Sequence, residues 1–227
     1  MSQAARWRPQ AVVFDLDGLM VNTEELYQLV GTELLRRRGK TFDAELLDEM
    51  MGRPARVSLQ IMIRWHALDA TVEELSSETD VIFAEILRER LACMPGLLDL
   101  LAALEAAGIP KAIATSSGPR FVANVLSRFS LAPRFAFILT CDDIVEGKPN
   151  PEVYLKAAAR FGLPPADVLV LEDSFNGCQA AIRAGTFAVA VPGGHSRRHD
   201  FGQARLVIDT LADRRLYDVL GLTPLTG

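Results

Sequence analysis

The chain has 227 residues, of which 49% are hydrophobic and 23% are charged, and its formal net charge at pH 7 is −5. This length and composition are typical of a globular protein that buries a real core, as one large domain or one domain with an insertion. The acidic balance argues against nucleic acid as a partner, because binding a phosphate backbone needs a basic face.

The first predicted element is a buried strand over residues 11–15, which leads into a turn carrying a second acid. Asp15 and Asp17 lie two positions apart, so on an extended chain both carboxylates point to the same side. Gly18 lets the chain turn sharply just beyond them. Two such close acids repel each other unless a cation or a shared proton intervenes. The pattern predicts a metal-binding and nucleophilic site at the end of this strand.

The stretch 22–91 shows only helical spacing of apolar residues, and we interpret it as a helical domain. The predicted helices are 24–38, 44–50, 56–66 and 72–90. Residues 1–21 and 92–227 then form the other domain. Because the insertion begins directly after the acidic turn, we expect it to cover the cavity there as a lid.

Beyond the insertion, short apolar runs rich in β-branched residues alternate with helix-length segments. The predicted strands are 110–115, 136–140, 168–172, 187–191 and 206–208. The predicted helices between them are 97–107, 120–129, 152–161 and 176–184. Strand alternating with helix predicts the α/β class, here a doubly wound parallel sheet.

Polar residues stand where several of these strands end, and open parallel sheets bind ligands outside the carboxyl ends of their strands. The second strand ends in Thr115, followed by Ser116, and the fourth ends in Glu172, followed by Asp173. The loop after the third strand brings Lys148 in the segment GKPNP. We therefore expect carboxylates, a hydroxyl and a cation to meet in one crevice.

Phosphoryl transfer to a carboxylate is the chemistry that uses such a set. Mg²⁺ prefers oxygen ligands, and the predicted metal-binding residues are Asp15, Asp17, Glu172 and Asp173. Asp15 would attack phosphorus and form an aspartyl phosphate. Asp17 would protonate the leaving alkoxide and later take a proton from the attacking water.

The predicted phosphate-binding groups are the charge of Lys148 and the hydroxyl of Thr115. Three backbone N–H groups at the start of the following helix are further predicted donors, those of Ser116, Ser117 and Gly118. In the loop 51–56 of the helical domain, we expect Arg53 or Arg56 to meet an anionic or polyhydroxylated substrate.

Four segments in this order, FDLDG, IATSS, GKPNP and LEDSFNG, resemble motifs one to four of the haloacid dehalogenase superfamily. The helical insertion resembles the group with a small α-helical cap, which includes β-phosphoglucomutases and sugar-phosphate phosphatases. The resemblance covers nearly the whole chain. It implies a Rossmann-like core, Mg²⁺ as cofactor and the residue roles given above, with the backbone carbonyl of Asp17 on the metal.

Within that superfamily, the residues favour a phosphatase. Dehalogenases carry no acid at the position of Asp17 and work without metal. Phosphonate-cleaving relatives place a Schiff-base lysine in the cap, but no lysine occurs between Val21 and Lys40. The mutases carry a cap histidine where Tyr27 stands here. We predict a phosphatase acting on a sugar, polyol or short-acid phosphate. A β-phosphoglucomutase-like mutase is the alternative, and a catalytically idle binding module is a remote one.

The remaining expectations concern location and assembly. No run reaches the roughly 18 to 20 apolar residues of a membrane span, and the N-terminus does not resemble a signal segment. We therefore expect a cytoplasmic protein whose partner is a small phosphate ester, without membrane or nucleic acid. The three cysteines form no CxxC pair, so no disulfide framework or zinc site is predicted. No heptad seam is evident, so we expect a monomer.

Overall fold

The computed structural model describes residues 7–50 and 55–223, which form two compact units. One unit comprises the described residues up to Val21 and from Cys93 onward, and the other lies within Asn22–Ala92. Each unit contains a hydrophobic cluster of its own. The second unit is therefore inserted into the chain of the first.

The first unit is built on a six-stranded sheet with the order β3-β2-β1-β4-β5-β6, in which every pairing is parallel. The strands are β1 (Ala11–Phe14), β2 (Lys111–Ala114), β3 (Ile138–Leu139), β4 (Val168–Glu172), β5 (Phe187–Ala190) and β6 (Leu206–Val207). The chain moves outward from β1 in one direction and from β4 in the other. This reversal creates a crevice at the carboxyl ends of β1 and β4, where doubly wound sheets bind ligands.

The central strands are buried along their whole length and consist mostly of apolar residues, because both faces of the sheet are covered. Every residue of β1, β2 and β4 is buried, including the polar Lys111 and Glu172. Phe14 pairs with Ile113 of β2 and with Leu171 of β4, so these three strands end within one residue of the same level. The polar residues that follow them are consequently delivered to one edge of the sheet.

The second unit is helical. Its helices are α1 (Thr23–Arg36), α2 (Ala44–Met50), α3 (Ala55–His66) and α4 (Val72–Arg90). Its described residues contain no strand, as the apolar spacing predicted. The interior is formed by buried apolar side chains from all four helices, among them Leu34, Leu46, Leu59 and Leu75. The role of this unit as a lid stays a prediction.

The described residues of the α/β unit form five α-helices. They are α5 (Leu97–Ala106), α6 (Pro119–Arg128), α7 (Glu152–Phe161), α8 (Phe175–Arg183) and α9 (Arg214–Leu220). The first four match the predicted helices to within one residue at each end, whereas α9 was not predicted. α7 and α8 cover one face of the sheet through small buried residues such as Ala157 and Ala181. No helix among the described residues combines the length and the apolar character that a membrane span needs.

Candidate active site

Asp15 is the first residue after β1 and is buried against the neighbouring strand. Its backbone N–H donates to the carbonyl of Leu171 at 3.0 Å, and the residue is only 6% exposed. Lys148 Nζ donates to Asp15 Oδ1 at 2.5 Å and to the carbonyl of Ala114 at 3.1 Å. The structure thus brings together the predicted nucleophile and the predicted cation, although 133 positions separate them in the chain.

Glu172, the last residue of β4, is completely buried and receives donors on both carboxylate oxygens. Lys148 Nζ donates to its Oε1 at 2.6 Å, and the hydroxyl of Tyr154 donates to the same oxygen. Ser174 Oγ donates to Oε2 at 3.1 Å. A Cβ at position 177 would overlap this carboxylate, so the start of α8 needs Gly177 there. These contacts fix Glu172 and, through it, Lys148.

Tyr154 and Ser174 are site residues that sequence reasoning missed. Tyr154 is one of the buried residues of α7. A buried tyrosine hydroxyl needs an acceptor, however, and the nearby motif acids were the available candidates. Ser174 is the N-cap of α8 and accepts from the N–H of Gly177. A serine just before a helix was the signal for that capping role.

Three buried carboxylates form a group that suits a hard divalent cation. Oxygen atoms of Asp15, Glu172 and Asp173 all lie within 4.8 Å of one another. An all-oxygen donor set is what Mg²⁺ prefers, so these residues fit the predicted cofactor. Gly18 has a φ of +76°, and a Cβ there would overlap the Asp173 carboxylate. The acidic turn therefore packs directly against the metal-binding candidates.

The Asp17 carboxylate is turned toward the loop after β2. Its Oδ2 accepts from Ser117 Oγ at 2.6 Å and from Thr115 Oγ1 at 3.3 Å. Thr115 Oγ1 in turn accepts from the backbone N–H of Ser117 at 3.0 Å. Two of the predicted phosphate-binding groups, the Thr115 hydroxyl and the Ser117 N–H, are thus engaged around Asp17 in this structure.

Burial and an excess of carboxylates set the electrostatics of the site. Burial raises the pKa of Asp15 to about 8, and the charges of Glu172 and Asp17 add to this rise against the opposing effect of Lys148. Burial alone would lower the pKa of Lys148, but Asp15 and Glu172 hold it well above its ordinary value. Burial and the Glu172 charge also raise the pKa of Tyr154. Lys148 is therefore a permanent cation, and Tyr154 donates as a neutral phenol.

The remaining predicted site residues are Ser116, Arg53 and Arg56. Ser116 is exposed at the start of the loop after β2. Arg53 lies outside the described residues. Arg56 is in the helical unit, exposed near the start of α3, where it forms a 2.8 Å ion pair with Glu73. Its contact with a substrate stays a prediction.

Comparisons with known proteins identify the family of this chain. The profile of the haloacid dehalogenase-like hydrolase family matches residues 12–191. A Drosophila melanogaster protein named "Probable pseudouridine-5'-phosphatase" is 36% identical over 207 residues, which are 88% of this chain and 89% of that protein. A phosphorylated carbohydrates phosphatase of Thermotoga maritima is 32% identical over 180 residues, which are 78% of this chain and 82% of that protein.

A solved structure gives the same result for the fold. It is a HAD family hydrolase of Deinococcus radiodurans R1 with bound phosphate and sodium. It superimposes with a TM-score of 0.80 at 26% identity and covers 97% of this chain and 100% of its own. The predicted superfamily and the predicted Rossmann-like α/β class are confirmed. The chain belongs to the haloacid dehalogenase-like hydrolase family.

Proposed function

We propose that this protein is a Mg²⁺-dependent phosphatase that hydrolyses a small phosphomonoester through an aspartyl phosphate on Asp15. The enzyme class, a phosphoric monoester hydrolase, is the one predicted, and it is confirmed by the relatives named as phosphatases. The observation that carries the mechanism is the buried Asp15 carboxylate, held by Lys148 at 2.5 Å beside Glu172 and Asp173.

The names of the relatives support a sugar-phosphate substrate. One relative is named for pseudouridine 5'-phosphate and the other for phosphorylated carbohydrates. Both compounds carry the phosphate on a polyhydroxylated sugar. We therefore place this chain's substrate among sugar phosphates first, with polyol and short-acid phosphates as the wider class.

In the first step, an oxygen of Asp15 attacks the phosphorus of the ester. A bond forms between this oxygen and phosphorus, and the bond from phosphorus to the alcohol oxygen breaks. Asp17 gives its proton to the departing oxygen, so a neutral alcohol leaves. Lys148 stays charged throughout and compensates negative charge on the transferred group.

In the second step, water attacks the phosphorus of the aspartyl phosphate. Asp17 takes a proton from this water, and the bond between phosphorus and Asp15 breaks. Inorganic phosphate leaves, and both carboxylates return to their starting states. Asp15, Glu172 and Asp173, with the backbone carbonyl of Asp17, would hold Mg²⁺, which would supply positive charge for the phosphate.

The first test is phosphate release from a panel of sugar, polyol and carboxylic-acid phosphates with Mg²⁺. We expect turnover of one or a few members, and we expect Asp15→Asn to lower it at least about 10³-fold. Asp218→Asn, an exposed aspartate of α9, is the matched control with unchanged turnover. Acid quenching during turnover, followed by mass spectrometry, should find a phosphoryl group on the peptide that contains Asp15.

Two outcomes would contradict the proposal. Absence of phosphate release from every member of the panel would favour the idle binding module. Formation of glucose 6-phosphate from β-glucose 1-phosphate, with little free phosphate, would establish the mutase instead. In that case a sugar hydroxyl, and not water, attacks the same aspartyl phosphate.

A further inference from the structure

We propose that Ser117 is a positioning residue for Asp17, whose carboxylate its hydroxyl holds in place for proton transfer to the leaving group. The inference rests on the proposed phosphatase function. It assigns a side-chain role toward Asp17 to a residue that the sequence predicted as a backbone donor to phosphate.

The hydrogen bonds around Asp17 form a closed ring. Ser117 Oγ donates to Asp17 Oδ2 at 2.6 Å, at the short end of the range for O–H···O hydrogen bonds. Thr115 Oγ1 donates to the same oxygen at 3.3 Å and accepts from the Ser117 N–H at 3.0 Å. Ser117 therefore contacts the Asp17 carboxylate directly through its hydroxyl. Its N–H also donates to the Thr115 oxygen, so the Thr115 hydroxyl proton is left to donate to the same carboxylate.

The backbone of Ser117 is itself fixed, which makes its hydroxyl a stable support. Its N–H is used by Thr115, and its carbonyl accepts from the N–H of Cys141 at 3.2 Å, at the end of β3. The loop after β2 is thus tied to the neighbouring strand end. A serine held in this way can restrain a carboxylate that lies in the turn after β1.

Restraint matters here because proton transfer is sensitive to geometry. A general acid must lie within about 2.6 to 3.2 Å of the atom that it protonates. A misplacement of about 1 Å can lower a rate by 10²-fold. The other reading of Ser117 is direct binding of the phosphate, and the two readings differ in how the loss depends on the leaving group.

Positioning predicts a loss that grows as the leaving group becomes poorer. An alkoxide needs protonation as it departs, whereas p-nitrophenolate leaves without it. Direct phosphate binding predicts the same loss for every ester, because all of them share the phosphate. The value of kcat/KM separates the readings, since it covers all steps up to the departure of the alcohol.

The experiment measures kcat/KM of Ser117→Ala for p-nitrophenyl phosphate and for glycerol 3-phosphate with Mg²⁺. We expect a decrease of about 10- to 10²-fold for the alkyl ester and of less than about threefold for the aryl ester. Ser117→Thr, which keeps the hydroxyl, should retain the wild-type ratio of the two values. Ser127→Ala, which removes a serine hydroxyl bonded within α6, is the control with no effect. Equal losses for both esters would overturn the inference.

A double variant tests whether Ser117 acts through Asp17. In the Asp17→Asn background, Ser117→Ala should cause no further loss with the alkyl ester, because the restrained group is already absent. Losses that multiply would show an independent role and reject the inference. Failure of the proposed function has a different signature, namely full turnover by Asp15→Asn or no turnover by the wild-type protein.

Discussion

Two charge clusters in the α/β unit use the same types of residue in opposite proportions. The strand-end cluster, at the carboxyl edge of the sheet, sets one cation, Lys148, against Asp15 and Glu172. The Glu105 cluster, at the amino end of β2, sets one carboxylate against Lys111 and Arg134. The proportion of charges decides what each cluster does for the protein.

In the Glu105 cluster the carboxylate is satisfied. Arg134 donates to both of its oxygens at 2.8 Å, and Lys111 Nζ lies 2.9 Å from Oε1. The hydrogen bond from Arg134, together with Lys111, lowers the pKa of Glu105 to about 2. In the strand-end cluster, burial raises the pKa of Asp15 to about 8 despite Lys148. An excess of cations stabilises the ionised form of a carboxylate. A buried excess of carboxylates disfavours that form unless further positive charge is bound.

The largest effect should follow from removing the single cation of the strand-end cluster. Lys148→Met keeps most of the side-chain volume but leaves two buried carboxylates without their counter-charge. We expect kcat/KM to fall by about 10²- to 10³-fold and the free energy of unfolding to fall by about 3 kcal/mol. Steady-state kinetics and urea unfolding measure the two effects.

Lys156→Met is the matched control for this variant. Lys156 lies on α7, is partly exposed and pairs with Glu152, so both quantities should stay close to wild type. Wild-type turnover by Lys148→Met would contradict the role given to the strand-end cluster. Loss of stability with full turnover would reduce Lys148 to a structural residue.

The strand-end cluster shows how far sequence reasoning reaches. The alternation of strands and helices predicted which residues end each strand, and parallel pairing then brought Asp15 and Glu172 to one edge. Both inferences depend on local pattern and on a general property of parallel sheets. The placement of Lys148 followed in the same way from its loop after the third strand, and the resemblance to the family implied its role at the phosphate.

What the sequence could not show is which side chains complete these groups. Tyr154 lies 18 positions from its partner Glu172, and Ser117 lies 100 positions from Asp17. Such contacts depend on the packing of one element on another, which single-chain periodicity does not contain. The Glu105 cluster was missed for the same reason, because Arg134 and Glu105 meet only once α5 is folded onto the sheet.

Without metal, Asp15 should make the stability of the protein depend on pH. In the folded protein Asp15 keeps its proton up to a pKa of about 8, whereas the unfolded chain loses it near the ordinary value of 3.8. The folded state therefore binds more protons in this window, so the free energy of unfolding falls as pH rises from about 4 to 8. The slope from one group is at most about 1.4 kcal/mol per pH unit.

Urea unfolding in EDTA at several pH values between 5 and 8 measures this slope. Asp15→Asn lacks the titrating group, so its stability relative to wild type should increase with pH. Added Mg²⁺ should flatten the wild-type curve, because the cation offsets the charge that burial disfavours. Parallel curves for the two proteins in EDTA would show that Asp15 is ionised over the whole range.

The smallest effect should come from the Glu105 cluster. Glu105→Gln removes the charge that faces Lys111, whose side chain is only 5% exposed. The Glu105 side chain is 42% exposed and screened by solvent, so we expect the free energy of unfolding to fall by only about 1 kcal/mol, with unchanged kcat/KM.

The pKa of Glu105 is lowered from 4.5 to about 2, so its contribution to stability is complete above pH 4.5 and is lost as pH falls toward 2. The difference in the free energy of unfolding between wild type and Glu105→Gln should therefore decrease as pH falls. The free energy of unfolding of Asp15→Asn relative to wild type should instead increase as pH rises. A difference that stays constant between pH 6 and 3 would mean that the contribution of Glu105 to stability does not depend on its ionisation.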